Sequence, residues 1–244
     1  MATIIPRQVP KSVPTLLSFV AGYIDSVTFL GLYGIFVAQM TGSFVLAGTQ
    51  FVASEKGYLV KLLAIPAFFV AGCIATLIAA LTDQRNGRAL ALVMTFECIL
   101  LTALVLMHFA VPMTDIDASA VRATALIGIA AMGVQSAMVR LLMHGVASTN
   151  VMTTNTTQMA VDVTLVLLDA LHHSPASASG SASAARERLS GLLPIVIGFV
   201  SGTAVGALGY AMTGFWTLLV PLALAYGICG WAFYAVQTGT EAAG

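Results

Sequence analysis

The chain has 244 residues, of which 59% are hydrophobic and only 8% charged, ten basic side chains balancing ten acidic ones. Soluble domains are roughly a quarter charged, so this composition, with a mean hydropathy of +0.96, excludes an ordinary soluble fold and makes the lipid bilayer the chain's first partner. No excess of Lys and Arg is available to neutralise phosphates, which argues against a nucleic-acid partner.

A helix needs ~20 mainly apolar residues to cross the hydrocarbon core, where no water satisfies the backbone. The first such run is 15–32, apolar apart from Asp25. Arg7 and Lys11 precede it without a small-residue cleavage site, so it reads as an uncleaved first helix with a cytoplasmic amino terminus. Residues 36–53 are apolar at their ends but carry Gln39, Thr41, Gly42 and Ser43 inside. The run 62–81 has no charge, 89–111 is interrupted only by Glu97 and His108, and 123–139 lies uncharged between Arg122 and Arg140. Residues 146–171 start polar, with Asn150, Thr153, Asn155, Thr156 and Gln158, and turn apolar near Val163. A Ser/Ala-rich stretch within 172–188 reads as a flexible loop. The runs 189–213 and 215–236 complete the set.

None of these runs alternates as barrel strands do. The prediction is an all-α, polytopic membrane protein in one membrane domain, 1–244. Six spans are secure, and 36–53 and 146–171 either cross as polar-lined helices or break and re-enter, giving six to eight membrane segments. Cys73, Cys98 and Cys229 are odd in number and unpaired in spacing, which argues against a disulfide or a zinc site. The adjacent His172 and His173 are too few for a metal site. No metal and no cofactor are expected.

A faint repeat relates a first half, 15–111, to a second, 121–237. Gly22 and Gly34 fall 111 positions before Gly133 and Gly145, and with one residue inserted Met40-Thr41 matches Met152-Thr153. Asp25 then corresponds to Ser136, Gln39 to Asn150 and Ser43 to Asn155. Eight spans would make the halves parallel and six would make them inverted; either way seven of the ten basic residues collect inside, so the positive-inside rule does not choose.

The stretch F-V-A-G-Y-I-D-S-V-T-F-L at 19–30, followed by F-V-A-Q-M-T-G-S at 36–43, resembles the YoaK-type family of bacterial inner-membrane proteins, in which G-Y-x-D precedes M-T-G-N at a similar interval. G-V-Q-S-A at 133–137 and V-M-T-T-N-T at 151–156 are similar to its later segment. Two positions depart from the pattern: Ser43 stands where the family commonly has Asn, and Thr154 where its second motif often has Gly. The family is described as uncharacterised. The resemblance therefore implies a multi-pass inner-membrane fold and no established substrate.

Polar groups inside hydrocarbon mark candidate sites, because each must face protein or water. Asp25 is either a proton- or cation-binding carboxylate near mid-membrane or a cap on a neighbouring broken helix. Glu97 is either a second functional acid or one held in helix packing. Gln39, Thr41, Gly42 and Ser43 offer an amide, hydroxyls and a glycine able to unwind. Asn150, Thr153 and Asn155 are their counterparts, with Gln135 on the preceding helix and Asp162 one turn beyond Gln158. The two polar-cored helices are expected to meet near mid-membrane as a solute pathway, with Asp25 and Glu97 nearby.

Other features read as structural. Gly198, Gly202 and Gly206 form a flat stripe for close helix approach, within the protomer or across a homodimer. Tyr210 and Trp216 read as interfacial anchors. Arg140 is either a snorkelling side chain or an anion-binding one. No G-x-S-x-G, H-E-x-x-H or G-x-x-x-x-G-K-[ST] motif is present, so the leading expectation is a transporter or channel for a small solute or ion, with proton coupling as one mode and no enzymatic role. The alternatives are a scaffold or regulator without transport and, less favoured, an intramembrane enzyme.

Overall fold

Uninterrupted apolar runs become helices, because intra-segment hydrogen bonds alone satisfy the backbone in hydrocarbon. The computed structural model describes residues 9–82, 87–113, 115–171 and 179–241. Among these the chain forms α1 Ser12–Gly31, α2 Met40–Val52, α3 Tyr58–Leu81, α4 Arg88–Ala110, α5 Ser119–Leu142, α6 Met152–Ala170, α7 Ser179–Thr213 and α8 Leu219–Glu241. There is no strand among them. Five segments are long and apolar enough to cross a membrane, and the longest, Ser181–Thr238, is broken by a 3-10 turn at Gly214–Leu218 into α7 and α8.

Helix association in lipid depends on small residues that let backbones approach, since large apolar side chains gain nothing by leaving lipid tails. On α3 the buried positions are mostly small, with Ala64, Ala71, Ala75 and Ala79 inside, while Leu62, Phe69, Ile74, Leu77 and Leu81 face outward. The stripe on α7 behaves alike. A Cβ on Gly198 would lie 2.6 Å from the Thr15 carbonyl oxygen, one on Gly206 2.7 Å from that of Tyr23, and one on Gly202 would collide with that of Phe19. The face therefore presses on α1 within the protomer.

These contacts also give directions. Thr15, Phe19 and Tyr23 meet Gly198, Gly202 and Gly206 in rising order, so α1 and α7 are parallel. On the other side a Cβ on Gly57 would press into Ile116 and one on Gly133 would lie 2.6 Å from the Phe68 carbonyl oxygen, so α3 and α5 are also parallel. Against α4, α8 is antiparallel, with Thr95 beside Cys229, Thr102 beside Tyr226 and His108 stacked on Phe215. The bundle thus has a near end, holding the start of α1, and a far end, holding the α4–α5 connection.

The two ambiguous segments do not cross. Tyr33, just after α1, donates to the Met113 carbonyl (2.8 Å), and Lys56, just before α3, pairs with Asp115 (3.0 Å). The segment carrying α2 therefore leaves and returns at the far end. The 13 residues of α2 span only about 20 Å, short of the ~30 Å hydrocarbon core. The segment carrying α6 leaves α5 and rejoins α7 at the near end, where Arg140, His144 and Arg188 line one cavity.

The expected loop 172–188 is shorter than its composition suggests. Residues 172–178, with His172 and His173, lie outside the described residues, as do Arg7 and Arg85; from Ser179 the chain is helical. Alanine favours helix strongly, and Arg186–Asp169 (2.9 Å) and Arg188–Asp162 (2.6 Å) tie the start of α7 to α6.

Candidate functional site: two half-helices and a vestibule

The first break follows α1. Tyr33 (φ 55°) and Gly34 (φ 73°) turn the chain back on itself through left-handed backbone. It then runs inward to Val37 and Ala38, whose N–H groups both donate to Asp25 Oδ1 at 2.8 Å. Asp25 lies six residues before the end of α1, so the chain dips about 9 Å below the far end. The carboxylate, 3% exposed, is thus an acceptor for the approach to α2, between the middle of α1 and its far end. The unwinding occurs at Tyr33–Gly34 and not at Gly42, which is inside α2. Ser43 donates weakly to the Phe36 carbonyl (3.4 Å), while Gln39 and Thr41 are exposed.

The second break is built the same way after α5. Gly145 (φ 78°) makes the turn, and the chain reaches inward until Asn150 Nδ2 donates to Ser136 Oγ at 2.6 Å, six residues before the end of α5. Asn155 Nδ2 donates to the Ser148 carbonyl (2.7 Å). Deeper still, Gln135 Nε2 donates to the Leu17 carbonyl (3.1 Å) and to Thr149 Oγ1 (3.0 Å). Ser18 contacts the carbonyls of Thr149 (2.9 Å) and Ile195 (2.8 Å). α1, α5, α7 and the second break are therefore joined at one buried polar knot. Nothing in the sequence marks Ser18, since a serine in an apolar run looks like any small packing residue.

From the near end a cavity of about 1360 Å³ opens beside this knot, bounded by α3, α5, α6 and α7. Its lining includes Ser136, Ser148, Thr154, Asn155 and Gln158, and it also carries Lys11, Arg140 and Arg188 against the single acid Glu187. Arg188 is engaged by Asp162, itself fully buried. Neither Lys11 nor Arg140 has an ion-pair partner among the described residues.

The candidate residues thus separate. Gln135, Asn150 and Asn155 cluster at the second break; Asp25, Gln39 and Ser43 belong to the first; Thr41 and Thr153 face outward; Asp162 is ion-paired on α6. The expected meeting of the two polar-cored helices is not what the fold builds. α2 packs on α3 and α6 on α7, because each half-helix folds back against the helix that follows it. Glu97, fully buried in α4, belongs to neither group, and both its oxygens lack a hydrogen-bond partner among the described residues. Lys61, missed in the sequence, is buried on α3 and donates to Gln50 of α2 at 2.9 Å.

Six long apolar helices around two re-entering half-helices define a polytopic helical membrane protein. Within that class the chain belongs to the family described as "Protein of unknown function (DUF1275)", whose model matches residues 13–231. This agrees with the resemblance carried by the motifs around Asp25 and Met40. No curated protein and no solved structure matches the chain.

Proposed function

We propose that this protein is a transporter or channel for a small solute, resident in the bacterial inner membrane with its near end in the cytoplasm. The observation that carries the reading is the vestibule, which brings water-accessible polar side chains of a broken helix to the depth of the knot formed by Ser18, Gln135 and Thr149. Irregular backbone at membrane depth is tolerated where it lines a cavity, and transporters place their sites at such interruptions.

Inverted halves support the same reading. A Cβ on Gly22 would strike the Phe199 carbonyl, as one on Gly133 would approach that of Phe68, and Gly34 and Gly145 share a left-handed backbone. The residues before the half-helices match in backbone, Gln39 (φ −99°, ψ 82°) with Val151 (φ −107°, ψ 83°). On this pairing the counterpart of Gln39 is Val151 rather than Asn150, because the inserted residue falls earlier in the loop. The near end carries Lys11, Arg88, Arg140, Arg186 and Arg188, and the far end Lys56, Lys61 and Arg122, so the positive-inside rule assigns the near end to the cytoplasm. The reading assigns no catalytic step.

The test is a proteoliposome flux assay with a panel of small anions, cations and neutral solutes. Ser136→Val and Asn155→Leu narrow and dry the vestibule and are expected to lower flux at least about tenfold, a loss of ~1.4 kcal/mol in barrier terms. Glu97→Gln tests proton coupling, with pH-dependent flux expected in the parent and pH-independent flux in the variant. Absence of flux for the whole panel, or equal flux in parent and folded vestibule variants, would sink the pathway.

A further inference from the structure

We propose that the vestibule binds a small anion, of phosphate, sulfate or carboxylate type, at Ser136 with Arg140 as its principal cation. The inference rests on the transport reading for its purpose, but the binding site stands on its own geometry. Ser136 and Arg140 are four residues apart on α5 and both line the cavity, as residues on one helical face must. Arg140 brings a guanidinium with no ion-pair partner among the described residues, and its planar donors suit oxyanions. Ser136 Oγ accepts from Asn150, which leaves its own hydrogen to donate. Thr154 adds a hydroxyl to the same lining, and Lys11 a second cation without an ion-pair partner among the described residues.

The molecule also carries its own template for an anion at this place. In the first half, the residue at the position of Ser136 is Asp25, whose carboxylate takes the N–H groups of Val37 and Ala38 before the half-helix. The corresponding residues of the second half, Thr149 and Asn150, make no hydrogen bond through their N–H groups among the described residues. One half thus supplies its own carboxylate beside the start of α2. The other presents a neutral serine, open to a basic cavity, beside the start of α6, whose amino end adds partial positive charge. Basic residues at a cytoplasmic end are ordinary; a cation directly below a hydroxyl that replaces a built-in carboxylate is the feature that points to an anion.

The experiment is calorimetric titration of the full chain in phosphatidylcholine nanodiscs with sodium phosphate, sulfate or acetate, at an ionic strength held constant with sodium chloride, which lacks the oxygen acceptors of an oxyanion. Saturable binding of at least one of the three is expected, weakened roughly tenfold or more in Arg140→Gln, less in Arg140→Lys and not in Lys56→Gln. Lys11→Gln gives a second reading should Arg140→Gln fail to fold. No saturable binding in the parent, or unchanged affinity in both folded charge variants, overturns the proposal. Repeating the titration in discs containing phosphatidylglycerol separates a lipid headgroup from a free anion: binding confined to the lipid overturns the soluble-anion assignment. Anion binding without flux would remove the transport reading and leave this site standing, whereas cation flux without anion binding would do the reverse.

Discussion

Asp25 decides how the first break is held together. Two buried backbone N–H groups end on one carboxylate oxygen, and an unsatisfied buried donor costs about 1–3 kcal/mol. Asp25→Ala is therefore expected to destabilise the protein by about 2–5 kcal/mol, and Asp25→Asn, which keeps an acceptor oxygen, by clearly less. Unfolding in detergent monitored by circular dichroism orders the two. If both variants were as stable as the parent yet inactive in flux, the charge would act in transport and the capping role would be wrong. Glu97 poses the opposite case. Its oxygens have no hydrogen-bond partner among the described residues, whereas almost all buried polar groups in native proteins have one.

At the scale of elements, the strongest statements concern close backbone approach. α7 meets α1 through Gly198, Gly202 and Gly206, while Gly191 on the same helix has nothing within 4 Å of an added Cβ. Gly202→Ala should overpack the interface and cost about 1–3 kcal/mol, and Gly202→Leu should abolish assembly of the pair. Gly191→Ala should be neutral or stabilising by a few tenths of a kcal/mol, as expected where glycine is replaced in open helix. Thermal melting of the three variants checks the order, and a melting temperature unchanged in Gly202→Leu would refute the packing. The half-helices are held more lightly. Only Ser43 and Ala47 of α2 and only Asn155 and Asp162 of α6 are buried, so each half-helix shares little buried surface with the rest of the bundle.

For the whole molecule the decisive property is sidedness. Six traverses put Glu55 and Asp117 at the far end and Lys11 and Glu187 at the near end. Single cysteines introduced at these four positions in a chain with Cys73, Cys98 and Cys229 replaced by Ala or Ser should label from opposite sides of sealed vesicles, Glu55 with Asp117 and Lys11 with Glu187. Labelling of positions 55 and 187 from the same side would require an even number of crossings between them and overturn the arrangement. At the far end Lys56 donates to Asp115, which raises the lysine and holds the Asp115 carboxyl below its ordinary range. What that contact adds to stability is present above the usual carboxylate pKa and lost as pH falls through the lowered value.

Composition and run length alone determined that the chain is a helical membrane protein, because hydrocarbon admits no other fate for long apolar runs without alternation. Motif residues around Gly22, Asp25 and Met40 determined the family, and the glycine stripe on α7 was legible because small residues at every fourth position have one principal use in lipid. Whether 36–53 and 146–171 cross was not legible: both topologies place seven of ten basic residues inside, and the choice depends on which end of the bundle receives each connection. For Asp25 the sequence offered two roles, and the choice of cap depends on backbone N–H groups twelve and thirteen residues away; the role of Asp162 was closed to it, since its partner is an arginine 26 residues on. The vestibule with Ser136 above Arg140 arises only when α3, α6 and α7 wall off one face of α5. Local pattern reports what a residue can do in lipid; the contacts that use it lie far along the chain, and only the tertiary structure brings them together.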